Sequence, residues 1–234
     1  YPETPKGDQT SLDDQVRTQY GVYVGMEYTV GDFIYRVTAI DSITSGRTKL
    51  IGVVAAKKSK LTKVTVPNTA NFKGYGLNVT EVGDNAFKAM KKLKKVTFGA
   101  NVKVIGKAAF NNCKKLNKIN FKNVTTIGNN AFAGCKALKK LTIGSKITTI
   151  GKNAFKKCTK LKAVVIGKSV KTIKAKAFTK DNKIKKITFK GKKLKTVKKN
   201  ALSSKVKKNI KAKKTKLKGN KKAIKVFKKK LKIR

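Results

Sequence analysis

From about residue 61 onward, the apolar positions recur on a nearly fixed beat. An Ala-Phe pair falls at Ala86-Phe87, Ala109-Phe110, Ala131-Phe132, Ala154-Phe155 and Ala177-Phe178, with a degraded copy at Ala201-Leu202. The spacings are 23, 22, 23, 23 and 24 residues. Six residues after each Phe stands Leu93, Leu116, Leu138, Leu161 or Ile184. Beyond it come the pairs Val96 and Phe98, Ile119 and Phe121, Leu141 and Ile143, Val164 and Ile166, Ile187 and Phe189. Apolar residues two apart put their side chains on one face of a strand, so each copy predicts one short strand with a single buried side. A period in the twenties predicts a solenoid, because one such turn cannot close a core and must bury its apolar side against the next. Stacking at about 4.8 Å per strand brings the strands into a parallel sheet.

The ends of the chain break the beat. Leu61, Val64 and Val66 repeat the strand spacing and predict a rung before the first Ala-Phe pair, followed by an insertion before Val82. Upstream, "YTVGDFIYRVTAI" and "LIGVV" carry the β-branched and aromatic content of strands around turn glycines. Near the C-terminus Ile224, Phe227 and Leu231 sit at helical spacing, which predicts a capping helix over the open end of the stack. The resulting division is a polar linker at 1–18, a β-rich N-terminal cap at 19–60, the solenoid at 61–202 and a basic C-terminal cap at 203–234.

The repeat units themselves, "VTEVGDNAFKAMKKLKKVTF", "VTTIGNNAFAGCKALKKLTI" and "ITTIGKNAFKKCTKLKAVVI", resemble the BspA-like (treponema-type) leucine-rich repeats over about Leu61 to Leu202. The resemblance implies an α/β leucine-rich-repeat solenoid of short parallel strands, about 22–23 residues per repeat. It also implies a secreted or surface-displayed bacterial protein acting in adhesion or in protein or glycan binding. Two family positions vary. The glycine at Gly83, Gly106, Gly128 and Gly151 is expected to serve a turn of positive φ, and Lys174 and Lys198 replace it in the last two rungs. The cysteine slot holds Met90, Cys113, Cys135 and Cys158, then Asp181. Both changes predict looser packing in those last rungs.

Charge alters the functional picture more than the fold. The chain of 234 residues carries 60 Lys and Arg against 10 Asp and Glu, a net +50. Residues 1–84 hold ten basic and nine acidic side chains, which leaves fifty basic and one acidic, Asp181, in residues 85–234. Only Arg17, Arg36, Arg47 and Arg234 are arginines. Lysine attracts as a hydrated point charge without arginine's bidentate geometry, so this surface predicts anion attraction of low geometric demand. No apolar run is long enough to span a membrane. A leader upstream of Tyr1 is expected to have been removed, in keeping with the export that the resemblance implies.

Catalytic chemistry finds few footholds. The chain has no histidine, so Ser-His-Asp, Cys-His and His-metal arrangements are excluded, and the repeats lack paired carboxylates. No enzyme activity, cofactor or metal is expected. The three cysteines are spaced by 22 and 23 residues, the repeat period, which predicts one buried column of free thiols rather than a redox or zinc site. An adjacent-rung disulfide is the alternative, disfavoured by parallel Cβ directions. Nucleic acid is disfavoured because the repeats lack exposed aromatics and arginines for stacking.

What remains is the outward face of the strands. There Lys95, Lys118, Lys140 and Lys186 form one expected column, and Thr97, Asn120, Thr142 and Thr188 a second, with Ala163 and Val165 in the fourth rung. Neighbouring lysines about 5 Å apart repel by roughly 0.8 kcal/mol in water, which gives the column a standing preference for an anion. The expected partner is a protein or an anionic glycan or polymer, bound by a monomer. The bland reading of the same residues is a soluble strand face: threonine suits strands, and lysine keeps a sheet surface from pairing.

Overall fold

In the computed structural model, residues 21, 23–44, 47–56, 60–72 and 75–234 are described. Segment 1–18 lies outside them. The predicted N-terminal strands form a meander in which β1 (Glu27–Val30), β2 (Phe33–Thr44) and β3 (Arg47–Ala56) pair antiparallel in that order. The insertion before Val82 is itself structured: β5 (Thr69–Phe72) folds back antiparallel on β6 (Tyr75–Val82), and β6 runs parallel to β3. The cap thereby continues into the solenoid without a free edge between them.

From β6 a ladder of two-residue strands climbs the repeats: β8 (Val104–Ile105), β10 (Thr126–Ile127), β12 (Thr149–Ile150), β14 (Thr172–Ile173) and β16 (Thr196–Val197), each parallel to the last. The predicted longer strands occupy the other side of the coil. They are β4 (Lys63–Val66), β7 (Lys95–Phe98), β9 (Lys118–Asn120), β11 (Lys140–Thr142), β13 (Ala163–Ile166) and β15 (Lys186–Phe189). The Ala-Phe segments between the two strand sides are turns, not helices.

The core is a set of columns. Phe87, Phe110, Phe132, Phe155 and Phe178 stack with ring centroids 5.0, 5.1, 5.4 and 5.6 Å apart and planes within 6° of parallel. Phe98 and Phe121 meet that column edge-on, at 5.7 Å from Phe110 and 5.8 Å from Phe132. Phe33 of the N-terminal meander closes one end of the stack, edge-on to Phe87 at 5.9 Å. Edge-on and offset rings are the arrangements the aromatic quadrupole favours.

The repeat glycines work differently from the expected turn. Gly106, Gly128 and Gly151 do not have positive φ; a Cβ on any of them would come within 2.6 Å of the preceding rung's backbone. They let successive rungs approach closely. The left-handed residues lie two and six positions further on, at Asn85 and Ala89, Ala108 and Asn112, Asn130 and Gly134, Asn153 and Lys157, Lys176 and Lys180. Asparagine tolerates that conformation better than most side chains, which accounts for its presence at three of the five first positions, Asn85, Asn130 and Asn153. The expected loosening of the last rungs does not show in burial: Phe178, Ala201 and Leu202 are as covered as their counterparts.

The thiol column is as predicted. Cys113, Cys135 and Cys158 are free and buried, and each Sγ donates to a phenylalanine carbonyl of the preceding rung: to Phe87 at 3.0 Å, Phe110 at 3.3 Å and Phe132 at 3.5 Å. Burial pushes the Cys113 thiol up to about 11 and the other two well above the usual thiol range. All three are therefore expected to resist a thiol reagent such as DTNB in the native protein at pH 8 and to react stoichiometrically in guanidinium.

Two helices finish the chain, one of which the sequence pattern did not announce. Helix α1 (Ser204–Lys211) is capped by Ser203, whose Oγ accepts from Val206 N, and buries Val206 and Ile210. A further strand, β17 (Lys216–Gly219), pairs parallel with β15. The expected capping helix is α2 (Lys221–Leu231), started by the Asn220 cap and ended by Lys232 in the left-handed conformation. Its Phe227 and Leu231 are buried, Phe227 lying 5.0 Å from Phe189. Lysines in the last turn of each helix suit the negative end of its dipole.

Candidate binding face

Strand pairing brings the predicted surface residues together, though not as one sheet. Lys63, Lys95 and Lys118 are register partners across β4, β7 and β9, with Thr65, Thr97 and Asn120 beside them. Lys140, Ala163, Lys186 and Lys216 align across β11, β13, β15 and β17, with Thr142, Val165, Thr188 and Lys218 beside them. The lysines are exposed, as are Asn120 and Thr142, while Thr97 and Thr188 are half-buried. Pleating places them all opposite the core residues Val96, Leu141, Val164 and Ile187.

Sequence reasoning missed four members of these columns. Lys63 and Thr65 follow from the rung of Leu61, Val64 and Val66 that precedes the first Ala-Phe pair. Lys216 and Lys218 sit on β17, which carries no Ala-Phe pair and offers only the alternation "KLKG" as a signal.

The expected continuous columns are interrupted between β9 and β11. The sheet β4-β7-β9 ends there, and the sheet β11-β13-β15-β17 begins. The cause is one residue. From the strand's inward residue to the next column residue there are six steps in Val96 to Val102, Leu141 to Ile147 and Val164 to Val170, but five in Ile119 to Val124. Val124 is buried and the neighbouring β8-β10-β12 ladder is intact, so the shorter link is taken up by β9. Lys122 is driven to φ +43°, its N–H donating to Asn120 Oδ1 at 3.2 Å. Gly144 consequently faces the Phe121 Cβ, whereas Gly167 in the next rung faces the Gly144 backbone. Ile119 is partly exposed where its counterparts are buried.

The break leaves a cleft of about 1040 Å³, open to solvent, with Lys95, Lys118, Lys122, Lys139, Lys140 and Lys160 around it. A smaller space of about 570 Å³ lies among the turns near Asn112 and Gly134. Among the described residues there is no cluster of His, Cys, Asp or Glu that could hold a metal, and no helix long and apolar enough to cross a membrane.

A coil of parallel strands whose rungs share phenylalanine, leucine and cysteine columns defines a leucine-rich-repeat protein. The BspA type leucine rich repeat region matches residues 78–212 in six copies, and the chain belongs to that family. Solved structures share the fold. The T. pallidum leucine-rich repeat protein (TpLRR) has a TM-score of 0.56 at 24% identity, over 83% of this chain and 86% of that one. A leucine-rich cell surface protein of Faecalibacterium prausnitzii gives 0.58 at 24% identity, over 83% and 54%. The pneumococcal vaccine antigen PcpA gives 0.67 at 19% identity, over 86% and 51%. This chain thus spans about half the length of the latter two. No curated protein matches the sequence. The family is one of protein-interaction repeats, and its solenoid is typically non-catalytic.

Proposed function

We propose that this chain is a non-catalytic adhesion module of a bacterial secreted or cell-surface protein, binding protein or glycan through the outward strand face. The observation that carries the reading is the pair of aligned columns, lysine beside threonine or asparagine and interrupted at Ala163 and Val165, on strands whose other face, Ile119 apart, is buried. The rungs of 61–202 are the binding unit, 19–60 and 203–234 act as end caps, and the module works as a monomer. Surface location rests on the family and on the cell-surface character of the Faecalibacterium relative.

A second reading is a polyanion binder acting through charge alone, on a cell-wall polymer or mucin rather than nucleic acid. Fifty basic residues against one acidic in 85–234 favour it. Salt separates the two. Binding by charge alone falls linearly in log salt with a steep slope, while a shape-specific interface persists at about 0.5 M salt, where the Debye length is only a few ångströms. A protein, glycan and polymer array read at two salt concentrations makes the measurement. The double substitution Lys118→Glu, Lys140→Glu is expected to weaken capture of anionic array members while shifting the thermal midpoint by less than about 3 °C, since both side chains are exposed. Unchanged capture of every array member by this variant would count against the strand face as the site.

A further inference from the structure

The interruption between β9 and β11 gives this strand face something its regular rungs lack. Within a continuous parallel sheet every inner strand has its backbone groups paired on both sides. Here β9 pairs only with β7, and β11 only with β13. In a parallel ladder alternate residues turn their amides to opposite neighbours. With Lys118 and Asn120 directed to β7, Ile119 faces the break, while the Phe121 carbonyl beyond it already accepts from Val124 N at 2.9 Å; with Leu141 and Ile143 directed to β13, Lys140 and Thr142 face the break from the other side. Open strand edges are templates for an added extended chain.

The surroundings of these edges are cationic. Six lysines border the cleft, and none of its lining residues is acidic. Asn117 and Asn120 add exposed amides that can both donate to and accept from a peptide backbone. The ring that lines the cleft, Phe121, is 2% exposed, so a sugar has no aromatic platform there. Lysine's undemanding geometry suits carboxylates on flexible side chains. In an extended segment alternate side chains lie about 7 Å apart on one side, a spacing that flexible lysines on both banks of the cleft can follow.

From this we infer that the cleft between β9 and β11 is a binding site for an extended acidic peptide segment of a partner protein, held by backbone hydrogen bonds to the open edges and by glutamate or aspartate carboxylates on Lys118, Lys122 and Lys140. The inference rests on the strand-face reading above and narrows it to one seam and one ligand class. The missing residue after Phe121 is then the feature that makes the site. Restoring it closes the sheet.

The experiment uses the full chain and a fluorescein-labelled decapeptide alternating Glu and Thr, with a Gln-Thr peptide as control, followed by anisotropy at about 0.15 M salt. Three variants are compared with the parent. In the first, one glycine is inserted between Phe121 and Lys122; the second is Lys118→Gln, Lys122→Gln, Lys140→Gln; the third is Lys186→Gln, Lys216→Gln, Lys218→Gln, which removes equal charge outside the cleft. The parent is expected to bind the Glu peptide, and the inserted and seam variants to lose roughly tenfold or more of the affinity, while the third variant stays within about twofold. Adding the peptide should slow amide hydrogen exchange in β9 and β11 but not in β13.

Full-strength binding by the folded inserted variant, or no binding by the parent, overturns the seam. An equal loss in the third variant also overturns it while leaving the strand face intact as a charged surface. Should the inserted variant fail to fold, the two lysine triples and the exchange pattern still decide. A sulfated heparin oligosaccharide that binds with the same dependence on the insertion would replace the peptide as ligand class.

Discussion

Asp181→Cys is expected to raise the thermal midpoint at pH 9 by on the order of 10 °C and to flatten its dependence on pH. Asp181 occupies the slot that Cys113, Cys135 and Cys158 fill in earlier rungs, and it is fully buried. Its Oδ1 accepts from Cys158 N at 2.8 Å, but Oδ2 has no hydrogen-bond partner among the described residues. Burial lifts the carboxyl to about 8, against which the Cys158 amide pulls only weakly. The folded protein therefore holds this proton between about pH 4 and pH 8 while the unfolded chain has released it. Stability from this group is fully present below pH 4, falls as pH rises through that window, and is level above it. At about 1.4 kcal/mol per pH unit the accumulated loss is of order several kcal/mol. Cysteine in the slot brings a comparable loss only as pH rises past the ordinary thiol value of about 9, because burial there keeps a thiol neutral, as it does Cys113, Cys135 and Cys158. Thermal melts of both proteins at pH 4, 6 and 9 test this. Midpoints that run parallel across the series would mean that the Asp181 carboxylate finds water or a cation in the folded state.

Much of the architecture was legible because the repeat enforces agreement between distant residues. Any substitution in Phe110, Phe132 or Phe155 disturbs two neighbours at once, so the columns appear in the sequence as vertical registers and in the structure as stacked rings. The same logic placed the cysteines and the strands. It failed where an element is specified locally and only once. Helix α1 and strand β17 have no copy to be aligned with, and the hairpin β5–β6 lies within an insertion. The glycines illustrate a different failure. A recurrent glycine reports that a Cβ is forbidden, but not whether backbone dihedrals or a neighbour forbids it. Here the obstacle is the preceding rung, and the dihedral demand falls instead on the residues two and six positions further on.

The candidate face shows both outcomes side by side. Alternation along each strand sufficed to pick Lys95, Lys118, Lys140 and Lys186 as one column, because inward and outward positions are decided by period alone. The break in that column was visible only as a spacing of 22 among spacings of 23 and 24. A one-residue deletion can be absorbed in a turn or in a strand. The choice is made by what is anchored on either side: Val124 and the β8-β10-β12 ladder hold, so β9 yields. That competition between anchors is a property of the assembled coil, which a count of residues along the chain does not contain.

Phe132 is where the coil should be most sensitive. Its ring is fully buried, stacked between Phe110 at 5.1 Å and Phe155 at 5.4 Å, and met edge-on by Phe121 at 5.8 Å. Phe132→Ala removes three ring contacts and leaves a cavity that the rungs above and below cannot fill without giving up their own registers, a loss of about 3–5 kcal/mol. Phe178→Ala, with a single ring partner in its column, is expected to cost less. The two variants should also differ in the shape of unfolding. A stack of repeats is held together by nearest-neighbour interfaces, and Phe132 lies beside the seam where the strand-side sheet is already interrupted. Weakening the coil there leaves the N-terminal and C-terminal halves coupled chiefly through the β10-β12 ladder and the Cys113-Cys135-Cys158 column. Urea unfolding of Phe132→Ala, followed by circular dichroism, is expected to separate into two transitions, while Phe178→Ala keeps one. A single sharp transition in Phe132→Ala would show that the two-residue strands carry enough coupling on their own to make the coil fold as one unit.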